Sequence, residues 1–184
     1  MSFLLPCRCV AALVLSLLIC AGCSRLPASF DVTTRGQTTI ERGTVVEQLV
    51  GTLGFGQFTN LDLSQSQEFK NREVQRRHVA RANVEALELR IVSPTPEGQD
   101  FDFLETISFY VEAPGLERKR IAHKQVPRDS RSFKCEMDDL ELAPYVRAER
   151  MTVTTSVRGR RPENDTAIEA RLVIAVSTVL WRGD

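Results

Sequence analysis

Two histidines, His78 and His123, are the only imidazoles in 184 residues, so acid–base or metal chemistry through that side chain has little material. Familiar catalytic patterns are missing as well. Beyond residue 23 the chain has no Gly-x-Ser-x-Gly elbow, no His-Glu-x-x-His pair, no phosphate-cradling glycine loop and no Cys-x-x-Cys pair. The lone Gly54-Phe55-Gly56 reads as a turn. Nucleophilic catalysis needs a nucleophile, a base and an orienting group in reach of one another. No catalytic residue, metal site or cofactor is therefore assigned. Charge of one sign is not in excess either, with 24 basic and 24 acidic residues. Nucleic-acid binders carry a basic surplus, so no nucleic-acid partner is expected. Internal repeats and low-complexity stretches are absent.

The chain also lacks an apolar run long enough to cross a bilayer, for which about 20 residues are needed. The run Val10 to Ile19 instead has the length of a signal h-region, preceded by the single charge Arg8 and followed by small residues. Cys20-Ala21-Gly22-Cys23 resembles the lipobox of bacterial lipoproteins, usually Leu-Ala-Gly-Cys, with Cys20 in the leucine position. That resemblance implies cleavage before Cys23 and lipid attachment to its thiol. It divides the chain into a signal peptide (1–22), a lipid-anchored tether (23–28) and one domain (29–184). Ser24 lacks the aspartate that favours inner-membrane retention in this family, which implies the outer membrane as the address.

Cysteine is scarce once the leader is removed. Cys7, Cys9 and Cys20 leave with it, Cys23 becomes the anchor, and Cys135 alone remains, so no internal disulfide can form. Loss of Arg8 leaves 23 basic residues against 24 acidic ones, a net charge of −1. Local basic clusters remain at Arg118-Lys119-Arg120, at Arg158 with Arg160-Arg161, and at Arg72, Arg76, Arg77 and Arg81. They read either as solvated faces or as contacts for anionic head groups and sugars of the envelope.

What is plentiful is period-two alternation, the mark of half-buried strands. Phe30 to Ile40 reads as the first strand. Strands follow at Leu87–Ile91, ending at Pro94, at Ile107–Ala113, ending at Pro114-Gly115, at Met151–Val157 and at Ile168–Leu180. Arg118–Gln125 and Phe133–Met137 form a candidate hairpin. Thr44 with Glu47 offers a capping box for a short helix through Val50. Phe58, Leu61 and Leu63 suggest an extended stretch, and Arg72–Ala82 a brief helix. The pattern predicts an all-β fold, a single antiparallel β-sandwich with one or two short helices. "LELAPYVRAERMTVTTSV", with Leu142, Pro144 and Tyr145, resembles the crossing between sheets in immunoglobulin-like domains, which implies an immunoglobulin-like sandwich.

Three arrangements merit testing against the fold. Hairpin pairing places His123 across from Lys134 or Cys135, where a thiol–imidazole contact could make Cys135 reactive. Alternation instead puts Cys135 on the apolar face with Phe133 and Met137, as an inert core thiol. Carboxylates gather at Asp100, Asp102 and Glu105 and at Asp138, Asp139 and Glu141, as capping groups or as oxygen ligands for Ca²⁺. The reading that results is a membrane-anchored, non-catalytic binding or assembly module of the envelope. Its expected partners are the membrane, through the lipid, and envelope proteins or glycans. The alternatives are a small-ligand or lipid carrier, which requires a large apolar pocket, and a Cys–His enzyme. A module should show a filled core with an exposed patch or an open sheet edge.

Overall fold

The computed structural model describes residues 26–44, 47–94 and 100–180. Among the described residues, nine strands form two antiparallel sheets. They are β1 (Leu26–Ile40), β2 (Gln48–Gly51), β3 (Val79–Ser93), β4 (Leu104–Ala113), β5 (Leu116–Gln125), β6 (Ser132–Lys134), β7 (Glu136–Met137), β8 (Thr152–Arg160) and β9 (Thr166–Leu180). One sheet has the order β1-β9-β3-β6, the other β2-β8-β4-β5-β7. Two one-turn helices, α1 (Gln67–Asn71) and α2 (Ala143–Arg147), complete the all-β sandwich that alternation predicts.

β9 is the spine of the four-stranded sheet. It pairs along its whole length with β1, from Leu26↔Leu180 to Ile40↔Thr166, without a bulge. On its other side it pairs with β3 through three register shifts. Ile168, Ala170, Leu172, Ile174 and Val176 all point into the core and are buried. The far face of its second half is apolar too, and Val173 there is buried. Facing this layer, Ile107, Phe109 and Val111 of β4 and Val153 and Val157 of β8 fill the interior. Phe101 stacks edge-on to Phe133 at one end, and Phe30 edge-on to Phe69 of α1 at another, with centroids 4.8 and 5.1 Å apart.

Local bulges explain where alternation misleads. In β3 the buried set runs Ala82, Val84 and then Leu87, Leu89, Ile91, because a register shift between Val84 and Ala86 flips the parity. The expected Arg72–Ala82 helix is replaced by a 3₁₀ turn at Arg76–His78 and the start of β3. The capping-box helix after Thr44 is likewise absent from the described part of that segment. Glu47 N–H donates to Thr44 O at 2.8 Å, and Gln48–Gly51 joins β8 as an edge strand. Phe58–Leu63 is not extended either. Residues 56–58 and 63–65 are 3₁₀ turns flanking a bridge from Leu61 to Met151, so the side chains reach the core without a ladder.

The expected hairpin is split between the sheets. β6 pairs with β3, whereas β7 pairs with β5. The pivot is Cys135, whose N–H donates to Leu87 O at 2.8 Å while its side chain is buried. From β7 the chain crosses through α2 to β8, and Tyr145 Oη donates to Glu117 O at 2.6 Å, fastening α2 to the start of β5.

Candidate functional site

The outward faces of β1, β9, β3 and β6 together build a charged surface. Register sets Arg35, Arg171, Glu88 and Lys134 in one row across all four strands. Gln37, Glu169, Arg90 and Ser132 form the next row by the same pairings. Because β6 is only three residues long, its end leaves a shallow concavity of about 490 Å³ over these rows. That size lies within the range of small-ligand sites.

Its charges are interlocked. Arg90 Nε donates to Glu169 Oε1 at 2.8 Å, and Lys134 Nζ lies 3.0 Å from Glu88 Oε1. Arg171 Nη1 lies 3.7 Å from the other Glu88 oxygen. The Lys134 ammonium, with help from Arg171, holds the Glu88 carboxyl below its usual range. Arg90 does the same for Glu169, aided by Gln37 and Arg35. Arg35 itself makes no ion pair within 4.0 Å among the described residues and stands directly opposite Arg171. Like charges in opposed positions destabilise a sheet unless something bridges them. Four cations against two carboxylates leave the lining with a net charge of +2. The arrangement can take an anionic group.

The depressed carboxylates carry a pH signature. A group whose folded pKa lies below its unfolded value stabilises the fold above the unfolded pKa, and that contribution vanishes as pH falls through the folded one. The urea midpoint should therefore drop as pH is lowered below about 4. Glu88→Gln and Glu169→Gln should flatten that drop, and because the paired Lys134 and Arg90 are exposed to solvent the effect is small.

The positions singled out by sequence fare differently. Cys23, the expected lipid-attachment residue, lies outside the described residues; β1 begins three residues beyond it. Register places His123 opposite Glu136, not opposite Lys134 or Cys135, because the chain changes sheets at residue 135. The imidazole Nδ1 instead lies 3.2 Å from Asp138 Oδ1, on the outer face. Cys135 is on the core side, where burial pushes its thiol up to about 12. Labelling of the folded protein at Cys135 should accordingly be slow at pH 8 and rise sharply when urea is added. Rapid labelling of the native state would contradict the burial.

Of the carboxylate loops, Asp100 and Asp102 meet Asp129 from the β5–β6 loop, with oxygens within 4.8 Å of one another, and Glu105 is not part of the group. Asp102 accepts the Asp129 N–H at 2.7 Å, so the cluster closes the two loops together. The second group divides. Asp138 accepts from Arg120 Nε at 2.6 Å, while Glu141 accepts the N–H groups of Ala82 and Ala143. The basic clusters also have structural partners. Arg118 lies 3.7 Å over the Tyr110 ring, Arg76 donates to Ala148 and Glu149 carbonyls, and Arg161 pairs with Glu47. Sequence reading missed Arg35, Arg90, Lys134 and Arg171 because they are scattered over four distant strands; only the register gathers them.

No family model and no curated protein matches the chain. Among solved structures, a decameric BFDV capsid protein is similar with 12% identity and a TM-score of 0.43, over 83% of this chain and 99% of that one. A 60-mer BFDV capsid protein is similar with 10% identity and a TM-score of 0.44, over 87% of this chain and 97% of that one. Likeness at this level carries no argument about activity.

Proposed function

We propose that this protein is a non-catalytic binding module of a bacterial envelope, held to the membrane by a lipid on Cys23, whose recognition surface is the charged concavity of the four-stranded sheet. The observation that carries the reading is the row Arg35–Arg171–Glu88–Lys134, a net-positive surface laid across four paired strands. Such a surface fits an anionic group of an envelope protein or glycan, recognised through charge-assisted hydrogen bonds. The filled interior speaks for a module rather than a carrier. Phe58, Phe69, Phe101 and Phe109 are fully buried, and the concavity opens on the sheet's outer face instead of between the sheets. The lipobox-like Cys20-Ala21-Gly22-Cys23 supports the anchor.

Two measurements test the two halves. Cys23→Ala should abolish lipoprotein-type cleavage and shift the protein out of the washed membrane fraction; an unchanged distribution refutes the anchor. Crosslinking in intact envelopes should give adducts that the Lys134→Ala/Arg171→Ala double variant loses. Those adducts should also fade as salt rises from about 0.1 M to 1 M, where the Debye length shrinks from roughly 10 to 3 Å. Adducts insensitive to both changes would place recognition elsewhere.

A further inference from the structure

Sheet edges expose unpaired backbone groups, and proteins commonly blunt them with very short strands, charges, proline or bulges. Three of the four edges here are short, with β2 spanning four residues, β6 three and β7 two. The fourth is β1, fifteen residues long and paired with β9 without a bulge.

The direction of its free groups follows from one hydrogen bond. Gln37 N–H donates to Gln57 Oε1 at 3.2 Å, so residue 37 turns its backbone polar groups away from β9. In an antiparallel ladder alternate residues share that orientation. Asp31, Thr33 and Arg35 therefore present N–H and C=O to the open side, with their side chains on the sheet's outer face. Ala28 shows the opposite parity, its carbonyl accepting from Thr178 Oγ1 across the β9 ladder. Beyond Arg35 the edge is closed by the loop carrying Gln57, which packs on Gly36 so tightly that a Cβ there would sit 3.0 Å from Phe55 Cβ.

The open stretch is self-complementary. Asp31 and Arg35 lie two residues on either side of Thr33. Antiparallel pairing of two copies about Thr33 puts Asp31 of each opposite Arg35 of the other and Thr33 opposite Thr33. All three are then hydrogen-bonded pairs, and opposite charges in such positions stabilise a sheet. We infer that two copies of this protein associate through their β1 edges in this register, joining the two four-stranded sheets into a continuous eight-stranded one. The occupant is a second copy because charge, parity and length all match the strand's own sequence. The two-fold axis is perpendicular to the sheet, so both N-terminal ends lie at one level and two tethered copies can pair on one membrane. The association uses the open edge, shares only Arg35 with the concavity and does not depend on the anchor.

The test uses the full chain in its own envelope. Thr33→Cys places two thiols on strands whose Cα atoms are about 5.5 Å apart in a hydrogen-bonded pair, within disulfide reach. Mild oxidation should give a disulfide-linked species of twice the chain mass, in excess of the unsubstituted protein. Ser156→Cys, exposed on the other sheet, should not. Adding Asp31→Arg sets like charges opposite each other twice over and should cut the crosslinked fraction about tenfold or more. The swap Asp31→Arg/Arg35→Asp should restore it. No dimer in excess of the parent from a folded Thr33→Cys variant overturns the inference, as does capture of a different protein at residue 33 or failure of the swap. None of these failures touches the anchor or the Lys134 and Arg171 adducts, which stand or fall by their own measurements.

Discussion

Ile174→Ala should lower the stability of the fold by about 2–5 kcal/mol, while Arg171→Ala, three residues earlier on the same strand, should change it by less than about 0.5 kcal/mol. Ile174 is 1% exposed at the centre of β9, opposite Val32 on one side and Val84 on the other. Truncation removes three methyl or methylene groups from an interior packed like a crystal, and the neighbours cannot close the gap because two ladders fix their backbones. Arg171 points the other way, with its head 3.7 Å from Glu88 in solvent-screened surroundings. Urea denaturation with m unchanged reads the contrast directly. Comparable small losses at both sites would make β9 peripheral and remove the spine from this account of the sandwich.

Gly159→Ala should be nearly as damaging, at about 3 kcal/mol, although it adds a single methyl. Gly159 sits in β8 between Leu49 of β2 and Leu104 of β4. A Cβ there would overlap the Phe103 carbonyl oxygen and lie 2.9 Å from Leu104 Cα. Both obstacles are backbone, and the Phe103 carbonyl already accepts Arg160 N–H at 2.7 Å, so neither can swing aside as a side chain would. The register shift between Leu104 and Thr106 brings the chains this close. Calorimetry of Gly159→Ala beside Gly54→Ala checks the reasoning, since a Cβ at Gly54 meets nothing within 4 Å. Equal effects at the two glycines would mean that close approach at residue 159 is not what the fold requires.

Strands whose polarity alternates without interruption were readable from the sequence. Ile107–Ala113, Met151–Val157 and Ile168–Leu180 all appear where period two places them, give or take a few residues. Reading failed where the ladder breaks its own period. The parity flip near Glu85 conceals the first half of β3, and the extra residue Ile121 leaves two neighbouring core side chains, Ile121 and Ala122. It failed again at β2, where four residues gain their strand geometry only by lying against β8. Hydrogen bonds to a partner decide such segments, and local preference does not.

By itself the sequence determined the class of the fold, through alternation, and the buried position of Cys135, through its place between Lys134 and Glu136. Both depend on which way a side chain faces along one strand, information carried by neighbours two residues apart. The charged concavity and the open edge were decided only in three dimensions. Arg35 and Arg171 meet because β1 and β9 pair at that offset, and Lys134 joins them because the chain leaves the sheet at Cys135. Whether β1 is covered or free depends on the sheet order, which places it at the rim beside β9. Strand order and register are properties of contacts between distant segments, so no pattern within one segment can encode them.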